Sequence, residues 1–178
     1  MGLDMYLYAR KHEYASKWYK SKGSKMKVEY PKDITEFFPE FSEEANSDIP
    51  KDECFRDRRA ISRNTDYEIG YWRKANQIHN WFVEKCADGE DTCQEIYLDE
   101  EQLQELLDNC KYVLENKDRA EEMLPTQSGF FFGSTEYDEY YFQDLEHTVD
   151  IVEKALKLLK AQAEKGTYDY DIVYQASW

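Results

Sequence analysis

Both ends of the chain alternate. Leu3, Met5 and Leu7 stand against Asp4, Tyr6 and Tyr8, and Tyr168, Tyr170, Ile172, Tyr174, Ala176 and Trp178 fall on one side of the last stretch. A strand sends successive side chains to opposite faces, so a period of two predicts a half-buried strand at each end. The segments between them read differently. Tyr71, Ala75, Ile78, Phe82 and Cys86 recur at three- and four-residue steps, which predicts a helix over 71–86, stopped by Gly89. Asp99 can cap a second helix over 99–115, with Leu103, Leu106, Leu107, Cys110, Val113 and Leu114 as its stripe. A third follows from about 140 to 163 along Leu145, Val149, Val152, Leu156 and Leu159, ended by Gly166. The helices need a common floor, and the two terminal strands supply it by pairing. The predicted fold class is therefore α+β: a small, mostly antiparallel sheet including both chain ends, packed on about three helices.

A chain of 178 residues suits one domain, 1–178, and buries roughly 70% of the surface its unfolded form exposes. Residues 11–66 read as a long insertion of irregular structure. They hold Pro31, Pro39 and Pro50, with one short strand predicted at 25–30 and Phe37, Phe38 and Phe41 pinning the segment to the body. Between the second and third helices, 118–123 predicts one more turn. After it, Gly129 and Gly133 bracket three phenylalanines, which predicts a short buried strand or a tight loop.

The net charge of −15 is unevenly spread. Residues 1–30 carry seven Lys/Arg against three Asp/Glu, whereas 88–146 carry three against eighteen. An acidic middle of this kind disfavours direct nucleic-acid binding, because counterion release needs surface Lys and Arg, and it disfavours anionic membranes. It suits a solvated face, or a partner with a basic surface. No apolar run reaches the length of a bilayer span, and the start MGLDMYLYARK lacks a basic-then-apolar signal. With Cys54, Cys86, Cys93 and Cys110 forming no CxxC pair, the expectation is a cytoplasmic protein with free thiols. Nothing in the sequence specifies an oligomeric state.

Two segments hold candidate chemistry. In GYWRKANQIHNWF, Trp72, Asn76, His79 and Val83 form a stripe beside the apolar face of the predicted helix, with Arg73 and Lys74 next to it. Trp72 could stack a flat ring, Asn76 and His79 could hydrogen-bond it, and Arg73 near a helix start could meet an anion. The alternative reading has Asn76 and His79 satisfying backbone groups of the adjacent insertion while Trp72 packs. The second segment is 126–135, whose Thr126, Ser128, Gly129, Gly133, Ser134 and Thr135 could offer backbone N–H groups to an anion, or serve turn chemistry alone. The candidate ligand-binding residues are therefore Trp72, Arg73, Asn76, His79, Ser128 and Ser134. No catalytic residue, metal site or cofactor is assigned. His12, His79 and His147 lack ligand spacing, no calcium loop occurs, and pairing of Cys86, Cys93, Ser128 or Ser134 with His79 is one combination among many.

MGLDMYL, EIGYWRKANQIHNWFV, LPTQSGFFFGSTEYDEYYFQDL and the final YQASW together resemble a family of small uncharacterised proteins found in bacteriophages, prophages and bacteria. The resemblance covers 50 of the 178 residues and leaves out 11–66. It implies a phage accessory setting in the host cytoplasm, touching host defence or metabolism, and carries no catalytic residues. Three functions follow as expectations. The first is a non-enzymatic accessory protein binding a small nucleotide-like molecule near Trp72, Asn76 and His79. The second is an acidic protein-interaction module that imitates nucleic acid or inhibits a basic host protein. The third is a small enzyme acting on a phosphorylated or nucleotide substrate.

Overall fold

The computed structural model describes residues 2–15, 32–38 and 61–178. Four strands form one sheet: β1 (Asp4–Ala15), β2 (Ile61–Arg73), β3 (Ile96–Leu98) and β4 (Tyr170–Ser177), in the order β2-β1-β4-β3. β4 lies antiparallel between β1 and β3, with Leu7 opposite Tyr174 and Tyr97 opposite Val173. The chain ends pair as their alternation predicts, and the C-terminal strand is central. The helices are α1 (Lys32–Phe37), α2 (Asn76–Cys86), α3 (Glu100–Glu115), α4 (Ala120–Met123, after a 3-10 turn at Lys117–Arg119) and α5 (Glu139–Glu164). The fold is α+β. Among the described residues no helix is long and apolar enough to cross a membrane.

The described chain divides into two compact units, 1–11 with 66–178, and 12–65. The second nearly coincides with the segment expected to be an irregular insertion. Its described residues are not irregular throughout: β1 continues to Ala15, β2 begins at Ile61, and α1 lies between. Arg63 pairs with Glu13 at 2.6 Å and His12 with Asn64 at 2.8 Å, so the strand extensions are tied by side chains as well. Phe37 and Phe38, expected to anchor the segment by burial, are exposed. Phe41 and the strand predicted at 25–30 lie outside the described residues.

In the larger unit the alternation of β1 sends Leu3, Met5, Leu7 and Ala9 into the core, against Ile78 and Phe82 of α2 and Leu103 and Leu106 of α3. Phe82 stacks on Tyr174 with centroids 4.0 Å apart. Each such buried side chain stabilises the fold by about 1.5–3 kcal/mol. Asp99 caps α3 as predicted. Its carboxylate accepts from the Gln102 backbone, and Gln102 returns a bond to the Asp99 N–H, which closes a capping box. Asp138 caps α5 by accepting from the Tyr140 and Tyr141 backbones. Tyr168 and Trp178, expected on the buried face of the last strand, are exposed instead, because the ladder spans only Tyr170–Ser177.

The helix predicted from Tyr71 begins at Asn76. Tyr71, Trp72 and Arg73 belong to β2, and Lys74 has φ of 63°, a left-handed turn that no right-handed helix can include. The four-residue step from Tyr71 to Ala75 was thus a coincidence of two elements meeting. β2 itself carries one irregularity. Asp66 and Tyr71, five residues apart, reach Arg10 and Tyr6 on one face of β1, while Trp72 is buried on the other. An odd spacing on one face requires one extra residue, which a β-bulge supplies. Gly70 falls in this stretch, and a Cβ there would stand 2.6 Å from Cγ2 of Ile151 on α5.

Candidate functional site

Three of the six candidate residues sit inside the core. Trp72, 2% exposed, donates its indole N–H to Thr148 Oγ1 at 2.9 Å, and Thr148 in turn donates to the Asp144 carbonyl. Asn76, 1% exposed, uses its whole amide on 126–135: Nδ2 donates to the carbonyls of Phe132 at 3.0 Å and Ser134 at 2.8 Å, and Oδ1 accepts from the Gln127 backbone at 2.9 Å. His79, also 1% exposed, has both ring nitrogens engaged, Nδ1 with the Tyr174 hydroxyl at 2.7 Å and Nε2 with Asp91 at 3.0 Å. A carboxylate only accepts, so in the neutral ring Nε2 carries the proton and Nδ1 accepts from Tyr174. Burial raises the Tyr174 pKa well above the ordinary phenol value, which keeps that donor protonated. Trp178 donates to the other oxygen of Asp91 at 3.3 Å. Trp72 packs, as the alternative reading has it, but Asn76 bonds the backbone of the 126–135 loop and not of the insertion, and His79 bonds side chains and not backbone. A ligand stacked on Trp72 or bonded to His79 would have to displace the core.

The other candidates are exposed, and two of them border one cleft. Its volume is about 360 Å³, and Arg73, Lys74, Gln77, Ser134, Tyr140 and Asp144 are among the residues that line it. Ser128 is exposed outside it. The cleft has a local logic. β2 ends at Arg73, the left-handed Lys74 turns the chain, and α2 starts two residues later, so two cations stand at the turn. Across from them, Asn76 holds the 126–135 loop. Gly133, at φ of 92°, lets that loop approach: a Cβ there would meet Lys74 Cβ at 2.9 Å. The third wall is the first two turns of α5, with Asp138, Tyr140 and Asp144.

The electrostatics of the walls are opposed. Arg73 has only a 4.0 Å approach to Asp4, and Lys74 forms no ion pair among the described residues. Burial pushes the Asp144 pKa up, against the bond it accepts from Gln77 Nε2 at 3.3 Å and the charge of His147. The cleft therefore sets the two cations of the turn against three carboxylates, Glu136, Asp138 and Asp144, the last with its pKa raised by burial and bonded to the Gln77 amide. Asp144, Gln77 and Tyr140 were not read as site residues from the sequence. The available signal was polar side chains at four-residue steps, Tyr140, Asp144 and Thr148, running beside the apolar stripe of α5.

His79 is committed to Tyr174 and Asp91, and Cys86, Cys93 and Ser128 do not line the cleft. Among the described residues no group of His, Cys, Asp and Glu has the geometry to hold a metal ion. Compared with protein-family models, with curated proteins and with solved structures, the chain matches none.

Proposed function

We propose that the chain is a non-enzymatic accessory protein that binds a small nucleotide-like molecule in the cleft between the Arg73–Lys74 turn, the 126–135 loop and the start of α5. The phage-type setting rests on the resemblance of its segments. The observation that carries the ligand class is the pair of cations at the turn, neither in a close ion pair among the described residues, in one cleft with the Gln77–Asp144 pair. Arg73 and Lys74 suit a phosphate. Gln77 and Asp144 present an amide beside a carboxyl, a pair that matches the donors and acceptors on the edge of a base. Tyr140, exposed at the rim, offers a ring face for stacking. Trp72, Asn76 and His79 act one layer back, holding the strand, the loop and the helix that shape the cleft.

Calorimetric titration with nucleoside mono- and diphosphates of each base tests the reading. At least one should bind, and Arg73→Ala should weaken it by roughly tenfold or more, as loss of a charged hydrogen bond does. Lys74→Gly should weaken binding while leaving the melting temperature equal or higher, since glycine tolerates a positive φ. Asp144→Asn should also weaken binding yet stabilise the free protein at neutral pH. The sign follows from the raised pKa: burial favours the protonated carboxyl, so its contribution is full below the ordinary value of 3.8 and is lost as pH rises. Ligands that bind equally well to Arg73→Ala and Lys74→Gly, or no binding across the panel, would refute the proposal.

A second reading, a protein-interaction module, has its own observation. α3 exposes Glu100, Glu101, Glu105 and Asp108 along one open surface. Binding of a basic protein there would weaken steeply with salt.

A further inference from the structure

A groove of about 330 Å³ lies between α2, α3 and the end of α4. It shares Gln77 with the cleft, and its other lining residues are different. α2 sends Trp81 and Glu84 to it, three residues apart and therefore on one side of the helix. Met123 and Leu124 supply apolar surface opposite. Trp81 is 5% exposed, yet its indole N–H, itself buried, has no hydrogen-bond partner. Few buried polar groups are left in that condition. The indoles of Trp72 and Trp178 both have acceptors, in Thr148 and Asp91. The rim of the groove is charged. Glu105 pairs with Lys85 at 3.4 Å, and Glu122 with Arg119 at 2.7 Å. Glu84 is exposed and forms no hydrogen bond or ion pair among the described residues. One carboxylate is thus left over beside one indole N–H without an acceptor.

We propose that this groove binds a small monoacylated amine, with its ammonium at Glu84, its alkyl chain over Met123 and Leu124, and its carbonyl oxygen accepting the Trp81 N–H. Each part of such a molecule answers one feature of the groove. A carbonyl satisfies a donor that the protein leaves unpaired, which a purely apolar or purely cationic ligand would not. The single unpaired carboxylate calls for one positive charge, and an anion would face it instead. Residues three apart on a helix stand about 5–6 Å from each other at Cβ, so the two polar ends of the ligand are separated by a short chain. The groove is near the low end of the roughly 300–1,000 Å³ of ligand pockets, a size for a small molecule. Among the described residues no group of His, Cys, Asp and Glu could hold a metal ion, so the carboxylates of the rim do not form a cation site of that kind. The inference does not rest on the nucleotide reading of the cleft.

The test is a magnetic-resonance titration of the isotope-labelled full chain, following the indole N–H signals, with that of Trp81 assigned by its loss in Trp81→Phe. The probe is monoacetylputrescine, which carries one ammonium, a short alkyl chain and one amide carbonyl. Putrescine lacks the carbonyl and N-butylacetamide lacks the charge. Monoacetylputrescine should move the Trp81 indole signal downfield in a saturable way, and each of the other two should bind several-fold more weakly. Glu84→Gln, at an exposed position, should weaken the probe by about fivefold or more at low salt while leaving the melting temperature unchanged. Glu121→Gln, exposed on the same short helix as Glu122 but outside the groove, should change nothing. Lys74→Gly should also change nothing, which separates the groove from the cleft. If Trp81→Phe does not fold, the signal is assigned through the spectrum of the wild-type chain and Glu84→Gln decides. The proposal is overturned if the Trp81 signal does not respond to the probe, or if putrescine or N-butylacetamide binds as tightly. It is equally overturned if Glu84→Gln has no effect, or if a lysine-containing tetrapeptide binds more tightly than the probe, which would make the occupant a protein segment.

Discussion

Asn76→Ala isolates the side chain on which the 126–135 loop depends. Three bonds are lost, and they are not equivalent. The Phe132 carbonyl is buried and would keep no partner, which costs about 1–3 kcal/mol. The Ser134 carbonyl and the Gln127 N–H are partly reachable by solvent, so each loses about 0.5–1.5 kcal/mol. The total is about 2–6 kcal/mol, a large share of the roughly 5–15 kcal/mol that holds a typical domain. Urea unfolding followed by tryptophan fluorescence reads it, and the midpoint should fall with the slope unchanged. Asn76→Asp provides a second measure. It keeps the acceptor for Gln127 but turns an oxygen toward two carbonyl oxygens, so at neutral pH it should be at least as damaging. Because the loop forms one wall of the cleft, nucleotide affinity should fall in both variants as a consequence of the lost wall. A loss of stability below about 1 kcal/mol in Asn76→Ala, with binding abolished, would show that the amide serves a ligand and that the clamp assignment is wrong.

Three further outcomes follow from burial and charge. Removing 171–178 takes out the strand between β1 and β3 with Ile172, Val173 and Tyr174, each worth about 1.5–3 kcal/mol when buried, so the truncated chain should show no cooperative melt. Hydrogen bonds from Arg10 hold the Glu95 pKa below the ordinary 4.5; that stabilisation is present above 4.5 and is lost as pH falls through the lowered value, so the stability gap between wild type and Arg10→Met should narrow on acidification. A gap that stays constant with pH would rule out this linkage. Burial pushes the Cys86 and Cys110 thiols up to about 12, so at mildly alkaline pH both should react with iodoacetamide more slowly than Cys93, read by peptide mass mapping.

What the sequence made legible was whatever repeated. β1 and β4 alternate over enough residues to be recognised, and α3 and α5 carry long leucine and valine stripes with an aspartate at the cap. β2 was hidden because Tyr71 and Trp72, on opposite faces of the strand, happen to fall in phase with Ala75 and Asn76 of the helix that follows. Only the left-handed Lys74 breaks that phase, and no propensity marks a lysine for positive φ. β3 is three residues long and exists because β4 offers it a partner. The same error governed the site. Placed on one helix, Trp72, Asn76 and His79 form a stripe; with a strand-to-helix turn between them, they point to different places, and the cleft forms around Arg73 and Lys74 at the turn.

The polar residues of α2 show why fold and site are hard to separate in this chain. Asn76, Gln77 and His79 are all buried, and each is bonded to a different element: the 126–135 loop, Asp144 of α5, and Tyr174 of β4 with Asp91. Apolar contacts alone would let a short helix slide or rotate against its neighbours. Three directional bonds of different reach allow only one placement, because a shift that keeps one would break another and leave a buried group unpaired. α2 therefore fixes the position of the turn that precedes it, and with it the positions of Arg73 and Lys74 relative to Asp144. Gln77 has a part in both roles, since its amide bonds the carboxyl that it would share with a ligand. A substitution at Gln77 should consequently disturb binding and stability together, whereas one at Arg73 should disturb binding alone. That contrast separates the wall of the cleft from its support.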